Sequence, residues 1–329
     1  MVCFTFTTFN KDFITILLFC LGNTKKVSIF AKGIFAYSLK CVMVNAINTK
    51  MIRLRDISSA FSRSAFTDIL LFDDYSHLDW LHSKYPTKSC TYIDLLKKAY
   101  STISRDYRCE YVYKNELIKL LLSKYGTNKT TYFSEFRVGN SIADMAMFNG
   151  ESKAFEIKTE YDSPRRLNKQ LANFQQFFDK CYLVIPESLY NDYLLTTNPK
   201  TGIIVLRRNK GHISLIEKRP AIQNSSFDAE LLMSCLRTEE YKSIVKSLGA
   251  QIKGVSGSEM YGYCRSIILK ANTNILKFLF LQEIRKRKNN TRYLRRYPVS
   301  LRQMMLSLNL PEKKANILLE KLNTTVIKA

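Results

Sequence analysis

The sequence predicts an α/β (α+β) fold with a helical lead-in, a mixed β-sheet and a basic, helical C-terminal region. Two changes of pattern along the chain predict this fold. From Ile52 to about Tyr125, apolar residues recur every three or four positions, as on one face of a helix. From Tyr132 the pattern changes to short extended runs separated by turn residues, and after Pro220 it becomes helical again.

The extended runs predict three adjacent strands, then a helix, then a fourth strand. The first three strands are "YFSEFRV", "SIADMAMF" and "KAFEIKT", with Gly-Asn and Asn-Gly turn signals between them. The helix lies in "DSPRRLNKQLANFQQFFDK", where Asp162 or Ser163 is the expected cap and Pro164 falls in the first turn. The buried strand "CYLVIP" follows, and "GIIVLRR" with "HISLIEK" forms a further hairpin.

Composition and pattern divide the chain into four regions. Residues 1–50 are expected to be a loose extension or an over-called start, because "MIRLRDISSAFS" from Met51 looks like the opening of a domain. Residues 51–109 form the helical lead-in and residues 110–219 the sheet-containing core. Residues 220–329 form the basic helical region.

No membrane attachment is expected. The apolar run from Phe13 to Leu21 has nine residues, fewer than the roughly 20 that span a bilayer. The segment before it lacks the basic start of a signal peptide. The 8 cysteines are widely scattered with no CxxC pair, so we expect free thiols and a cytoplasmic protein.

The charge of the chain favours a polyanionic partner. It has 51 Lys and Arg against 28 Asp and Glu, a formal net charge of +23. Residues 251–329 hold 16 of these cations and 4 of these anions. Nucleic acid is the favoured partner, because the basic stretch lacks the apolar face of a membrane-binding helix. A plain solvated basic surface is the alternative.

The densest basic stretch is 285–296, with seven Lys and Arg, and Tyr293 and Tyr297 are interleaved with or adjoin it. Such a segment can follow a nucleic-acid backbone and offer rings to bases, with a basic helix end as the alternative. Two further arginines in the first turn of the central helix oppose its dipole, which favours a phosphate contact. The predicted nucleic-acid-binding residues are Arg165, Arg166, Arg285, Lys286, Arg287, Lys288, Arg292, Arg295 and Arg296.

The candidate chemistry rests on carboxylates, because none of the 3 histidines sits beside a plausible nucleophile. Glu156 and Lys158 alternate onto one face of an otherwise apolar strand, and Asp144 lies inside the preceding strand. A structural ion pair is one interpretation. Two carboxylates on adjacent strands also suit Mg²⁺ or Mn²⁺, with the lysine orienting a water. Glu135 and Arg137 share a face of the first strand and are expected to form a structural pair.

The register of the hairpin between the second and third strands tests this site. A two-residue turn at Asn149 and Gly150 makes paired residue numbers sum to 299, which points Asp144 and Glu156 to opposite faces. A shared face needs an even sum, and hence an odd-length loop such as 149–151 or a bulge. We predict that departure.

The run "SEFRVGNSIADMAMFNGESKAFEIKTE" resembles the core of the PD-(D/E)XK nuclease superfamily. The run from Phe136 to Leu171 also resembles a bacterial group of uncharacterised nuclease-like proteins. The resemblance is strong from about Tyr113 to Pro186. It implies a fold of one helix, three antiparallel strands, a helix and a fourth strand. Ala143 stands where the superfamily's name implies proline.

The resemblance also implies roles for particular residues. Asp144 corresponds to the acidic residue of the second strand, and Glu156 with Lys158 to the (D/E)XK element. Glu116 matches an acidic residue that many members contribute to the metal site from their first core helix. Gln170 resembles the Gln of a Gln-x-x-x-Tyr element whose Tyr is replaced by phenylalanine here.

The function expected from these observations is Mg²⁺- or Mn²⁺-dependent hydrolysis of DNA, and the resemblance suggests a role in defence or on a mobile element. A homodimer is expected if both strands of a duplex are cut. One alternative is a catalytically idle protein that keeps the fold and binds nucleic acid or regulates. Another is a protein-interaction module with a basic tail.

Overall fold

A computed structural model describes residues 46–86, 88 and 91–326. The chain divides into two compact units, Met1–Arg53 and Leu54–Ala329. In the first unit, residues 46–53 are helical, and the predictions for residues 1–45 lie outside the described residues. Within the second unit, the predicted boundaries at 109/110 and 219/220 stay predictions.

The second unit begins in helical residues 54–59 and continues through helices and strands in the predicted order. Its helices are α1 (Arg63–Phe72), α2 (Ser76–Lys84), α3 (Tyr92–Asp106), α4 (Glu110–Tyr125), α5 (Leu167–Gln175), α6 (Tyr190–Thr196), α7 (Ala229–Cys235), α8 (Thr238–Ser247), α9 (Met260–Ile268), α10 (Thr273–Lys286), α11 (Arg302–Leu308) and α12 (Glu312–Leu322). Its strands are β1 (Thr131–Val138), β2 (Ser141–Phe148), β3 (Ser152–Ile157), β4 (Lys180–Pro186), β5 (Gly202–Asn209) and β6 (His212–Arg219). Short 3₁₀ turns cover Pro164–Arg166, Glu187–Leu189, Thr291–Arg296 and Val299–Leu301.

The six strands form one mixed sheet in the order β1-β2-β3-β4-β5-β6. Strands β1, β2 and β3 are antiparallel neighbours, as predicted. Strand β4 runs parallel to both β3 and β5, and β6 closes the sheet as the second strand of the predicted hairpin. Helix α5 makes the crossover between parallel strands β3 and β4, which a parallel pair requires.

Helices cover the sheet on both faces, and alternate residues of β2 enter two separate cores. Met145 and Met147 belong to a core shared with α1, α3, α4, α11 and α12. Ala146 and Phe148 belong to a second core shared with α5 and α7 to α10. The sheet therefore lies between two helical layers, and its middle strands are buried.

Local sequence signals set the ends of the two helices that flank the site. Helix α4 ends at Gly126, whose φ of 67° suits a glycine. Before α5, the Ser163 side chain accepts a hydrogen bond from the Arg165 N–H, and Pro164 opens the 3₁₀ turn that leads into the helix. Leu167, Leu171 and Phe174 form the buried face of α5, as predicted. Within the described residues, no helix is both long enough and apolar enough to cross a bilayer.

Candidate metal centre

The hairpin register brings Asp144 opposite Glu156. The pairs from Met145–Phe155 to Phe148–Ser152 all sum to 300, so the connecting loop is the three-residue 149–151 and the predicted odd-length turn is confirmed. Beyond Met145 the backbone ladder stops. There the Ile157 N–H donates to Asp144 Oδ2 at 2.8 Å instead of to a backbone carbonyl. The Asp144 carboxylate is thereby fixed where β2 and β3 part.

Glu156 and Lys158 form a close pair at the same place. Lys158 Nζ lies 2.6 Å from Glu156 Oε1, and the two side chains are 13% and 2% exposed. Within the described part of the chain, two buried oxygens here have no hydrogen-bond partner, Glu156 Oε2 and Gln170 Oε1. Buried polar atoms are rarely left unsatisfied, and such exceptions often mark a functional site.

Electrostatics shows that the two carboxylates lie close enough to interact. Burial raises the pKa of Glu156, the negative charge of Asp144 raises it further, and the resulting pKa is about 7. The Gln170 amide acts in the opposite direction and lowers the pKa of Glu156. Burial also raises the pKa of Asp144. When the negative charge of one carboxylate disfavours the ionisation of its neighbour, a cation bound between the two would stabilise both in their charged forms.

Lys114, on α4, is a member of the site that the sequence did not identify. Its side chain is 7% exposed, and its Nζ lies 3.4 Å from Asp144 Oδ1 and 2.5 Å from Glu110 Oε1. The i,i+4 spacing of Glu110 and Lys114 was the one available signal in the sequence. It predicts a helical ion pair but does not reveal that the lysine faces the sheet.

Glu116 does not reach the site, so its predicted role as a metal ligand is wrong. It is buried on another side of α4, where it accepts a hydrogen bond from Tyr100 Oη at 3.0 Å and pairs with Lys119 at 3.1 Å. Glu116 is two residues from Lys114, and successive helix residues are rotated by about 100°. Because the Lys114 side chain faces Asp144, the Glu116 side chain points to a different side of the helix.

Glu135 completes a row of acidic residues across three strands. The residue numbers of each pair between β1 and β2 sum to 279, which places Glu135 opposite Asp144. The φ of 57° at Glu135 interrupts the backbone ladder at that point. Glu135 Oε1 lies 3.8 Å from Lys114 Nζ, whereas the sequence predicted a pair with Arg137. Glu135 is 52% exposed and lies at the solvent side of the row.

The residues at this point suit a hard divalent cation. Asp144, Glu156 and the free Gln170 amide oxygen are the oxygen donors that Mg²⁺ and Mn²⁺ prefer, and Mg²⁺ typically keeps several waters beside one or two carboxylates. Among the described residues, at this point as at any other, no three His, Cys, Asp or Glu side chains are placed to hold one ion together.

The predicted basic surface divides into two groups. Arg165 and Arg166, just before α5, are exposed, and Arg166 precedes Gln170 by four residues, one helical turn. Arg285 and Lys288 are also exposed. Lys286 is exposed too, and it pairs with Glu283 of its own helix.

Four arginines of the C-terminal basic stretch are engaged within the fold. Arg287 is 9% exposed and donates two hydrogen bonds to Glu240, so its predicted contact with nucleic acid is wrong. Arg295 Nη2 donates to the Leu122 carbonyl at 2.7 Å near the end of α4. Tyr293 and Tyr297 are buried and cannot offer their rings to bases as predicted. Arg292 and Arg296 stack on the Tyr293 ring, and Arg296 pairs with Glu312.

Comparison with known proteins identifies the family. A family model described as bacteriophage P4 protein cII matches residues 103–310, more than half of the chain. Protein cII of Enterobacteria phage P4 is 25% identical over 183 residues, which cover 54% of this chain and 67% of that protein. A solved structure of a protein of unknown function from Silicibacter pomeroyi covers 43% of this chain and 94% of its own, at 11% identity and a TM-score of 0.29. That structural likeness is too slight to support an argument. The chain belongs to the bacteriophage P4 protein cII family.

Proposed function

We propose that this member of the bacteriophage P4 protein cII family hydrolyses phosphodiester bonds of nucleic acid, with DNA as the favoured substrate, using a divalent metal ion. The observation that carries the proposal is a pair of carboxylates in register, one of which has an open oxygen next to an open amide oxygen. Asp144 and Glu156 lie opposite each other, and Glu156 Oε2 and Gln170 Oε1 are buried and unpartnered. Lys158 lies 2.6 Å from the same glutamate.

The order of elements supports the finer fold assignment that is part of this proposal. Helix α4, strands β1 to β3, helix α5 and strand β4 follow the order of the PD-(D/E)XK nuclease core. Asp144 lies on β2 and Glu156-x-Lys158 at the end of β3, and by the resemblance they would correspond to the acidic residue and the (D/E)XK element of that superfamily. Because one fold hosts many functions, the chemical argument rests on the side chains rather than on this order.

Each residue of the centre has a distinct task in the proposed reaction. Asp144 and Glu156 would hold Mg²⁺ or Mn²⁺, with the Gln170 amide oxygen as a neutral neighbour. The bound ion would act as a Lewis acid towards a phosphate oxygen and lower the pKa of a bound water. Lys158 would orient the attacking water and stabilise negative charge that develops on the phosphate.

Basic side chains near the centre supply the contact with the substrate backbone. Arg165 and Arg166 are exposed at the start of the helix that carries Gln170. The net charge of +23 adds a general attraction for polyanions. A homodimer and a cytoplasmic location stay predictions that accompany this function.

The proposal is tested by incubating the protein with linear, circular and single-stranded DNA, and with RNA, in Mg²⁺, Mn²⁺ or chelator. We expect metal-dependent cleavage that chelator abolishes. Lys158→Ala should lower the rate by about 10²–10³-fold, the usual cost of losing one group that stabilises developing negative charge. Lys119→Ala is the matched control, because Lys119 also pairs with a glutamate but lies outside the centre. Full activity in a folded Lys158→Ala protein would defeat the proposal.

A catalytically idle nucleic-acid-binding or regulatory protein is the second candidate. The observation that favours it is that each carboxylate already has a lysine as its partner without any metal ion. Lys114 lies 3.4 Å from Asp144, and Lys158 lies 2.6 Å from Glu156. An idle protein should melt at the same temperature with and without Mg²⁺. It should also tolerate Asp144→Asn with no change in that response, whereas a metal-binding protein would lose its Mg²⁺ stabilisation.

A further inference from the structure

A single buried ammonium lies among three carboxylates on the α4 side of the centre. Lys114 Nζ is 2.5 Å from Glu110, 3.4 Å from Asp144 and 3.8 Å from Glu135. These acids come from α4, β2 and β1, so three elements direct negative charge to one point. The lysine is 7% exposed, whereas Glu110 and Glu135 are more than half exposed.

This ammonium is held in its charged form despite its burial. Carboxylate oxygens of Glu110, Asp144 and Glu135 lie within 4 Å of its Nζ, and opposite charges at such distances favour the charged form of a lysine. A permanent positive charge is therefore built into this side of the site.

The two oxygens of Asp144 are directed to different partners. Oδ1 faces Lys114, while Oδ2 accepts from the Ile157 N–H on the β3 side. In two-metal hydrolytic sites, ions about 3.5–4 Å apart flank the reacting phosphate, and shared carboxylates commonly lie between them. Here the α4 side of such a carboxylate already contacts a cation.

We infer that Lys114 is a resident cation that takes the place of a second divalent ion, so that the centre holds one metal ion and not two. This inference rests on the proposed function, because it presupposes an ion at Asp144 and Glu156. Lys114 supplies a fixed positive charge on one side of Asp144 but no Lewis acidity and no bound water. Activation of the water is then left to the single metal site and Lys158.

The same geometry indicates what removal of the lysine would create. Glu110, Glu135 and Asp144 would be left facing one another without a cation. A pocket of about 250 Å³ is lined by Glu110, Lys114 and Glu135, and also by Arg63. Carboxylates that lose their shared cation beside such a pocket are suited to bind a divalent ion in its place.

The test is the number of Mn²⁺ ions bound per chain, counted from the electron paramagnetic resonance signal of free Mn²⁺ in titrations of the full chain. We expect one ion for the natural protein and two for Lys114→Gln. Lys114→Arg keeps the charge and should bind one. Lys119→Gln, which breaks an ion pair elsewhere on α4, should also bind one.

Each outcome separates this inference from the proposed function. Two ions in the natural protein, or one in a folded Lys114→Gln protein, would overturn the inference and leave the proposed function intact. No ion in the natural protein would overturn both. If Lys114→Gln fails to fold without metal, Lys114→Gln/Glu135→Gln restores one unit of charge balance, and the count in the natural protein still decides between one ion and two.

Discussion

The C-terminal basic stretch and the candidate metal centre use charge in opposite ways. Residues 285–296 hold seven Lys and Arg, the densest charge in the sequence. The fold engages several of them, most fully Arg287, which is buried against Glu240. The metal centre instead joins carboxylates and lysines from separate elements, and it leaves the buried Glu156 Oε2 and Gln170 Oε1 without hydrogen-bond partners. Charge density in a sequence therefore does not show which polar side chains the fold leaves available.

The largest effect expected from this comparison is on stability, at Arg287. Arg287→Ala removes one partner of a buried pair whose atoms lie 2.7 Å apart and leaves Glu240 buried and charged. Breaking such a pair typically costs about 3–5 kcal/mol of unfolding free energy. Urea denaturation would measure this loss.

Arg285→Ala is the matched control, because Arg285 lies two residues earlier, in the last turn of α10, and is exposed. It should change the free energy of unfolding by less than about 0.5 kcal/mol. Equal effects of the two substitutions would contradict the claim that the fold distinguishes between these arginines.

The next effect concerns Glu156 and pH. Its pKa of about 7 lies above the ordinary value of 4.5 because of burial and the charge of Asp144. A carboxyl group whose pKa is raised by folding stabilises the protein fully below its unfolded pKa, and this contribution is lost as pH rises through the folded pKa. Without metal, the melting temperature should therefore fall between about pH 4.5 and pH 7.

Glu156→Gln should remove this part of the pH dependence. At pH 8 without metal, the variant should be more stable than the natural protein by on the order of 1–3 kcal/mol, because the amide mimics the neutral acid. Added Mg²⁺ should stabilise the natural protein and not the variant. Parallel pH profiles for the two proteins would show that the Glu156 carboxylate is not disfavoured by its surroundings.

A smaller effect is expected on nucleic-acid affinity. Arg165→Ala/Arg166→Ala should weaken DNA binding by about tenfold at low salt and make its salt dependence less steep, because phosphate contacts release counterions. Arg285→Ala/Lys288→Ala removes two exposed cations from the denser stretch and serves as the comparison. Fluorescence anisotropy would measure both. A larger loss in the second variant would place the binding surface on the C-terminal region.

Much of the fold could be predicted from the sequence. The changes of period and the Gly, Pro and Asn signals predicted the three antiparallel strands, the helix after them and the hairpin of β5 and β6. The register argument predicted the three-residue loop at 149–151, because a two-residue turn would have separated the two carboxylates. These features depend on local pattern, which a sequence displays directly.

The remaining features depend on which side of a helix meets the sheet. Glu116 and Lys114 are both buried, and only the packing of α4 decides that the lysine reaches Asp144 while the glutamate faces Tyr100. Tyr293 was predicted to be exposed because its neighbours are basic, yet its ring is buried and arginines cover it. Tertiary contacts of this kind leave no periodic signal in one sequence.

The central claim is that Asp144 and Glu156 hold one divalent ion at the place where the fold leaves Glu156 Oε2 and Gln170 Oε1 without hydrogen-bond partners. Anomalous diffraction from crystals grown with Mn²⁺ tests it most directly. We predict a peak within about 2.0–2.6 Å of Glu156 Oε2 and an Asp144 oxygen, the range of hard-cation coordination. Crystals whose bound Mn²⁺ lies elsewhere, with both carboxylates unliganded, would contradict the account.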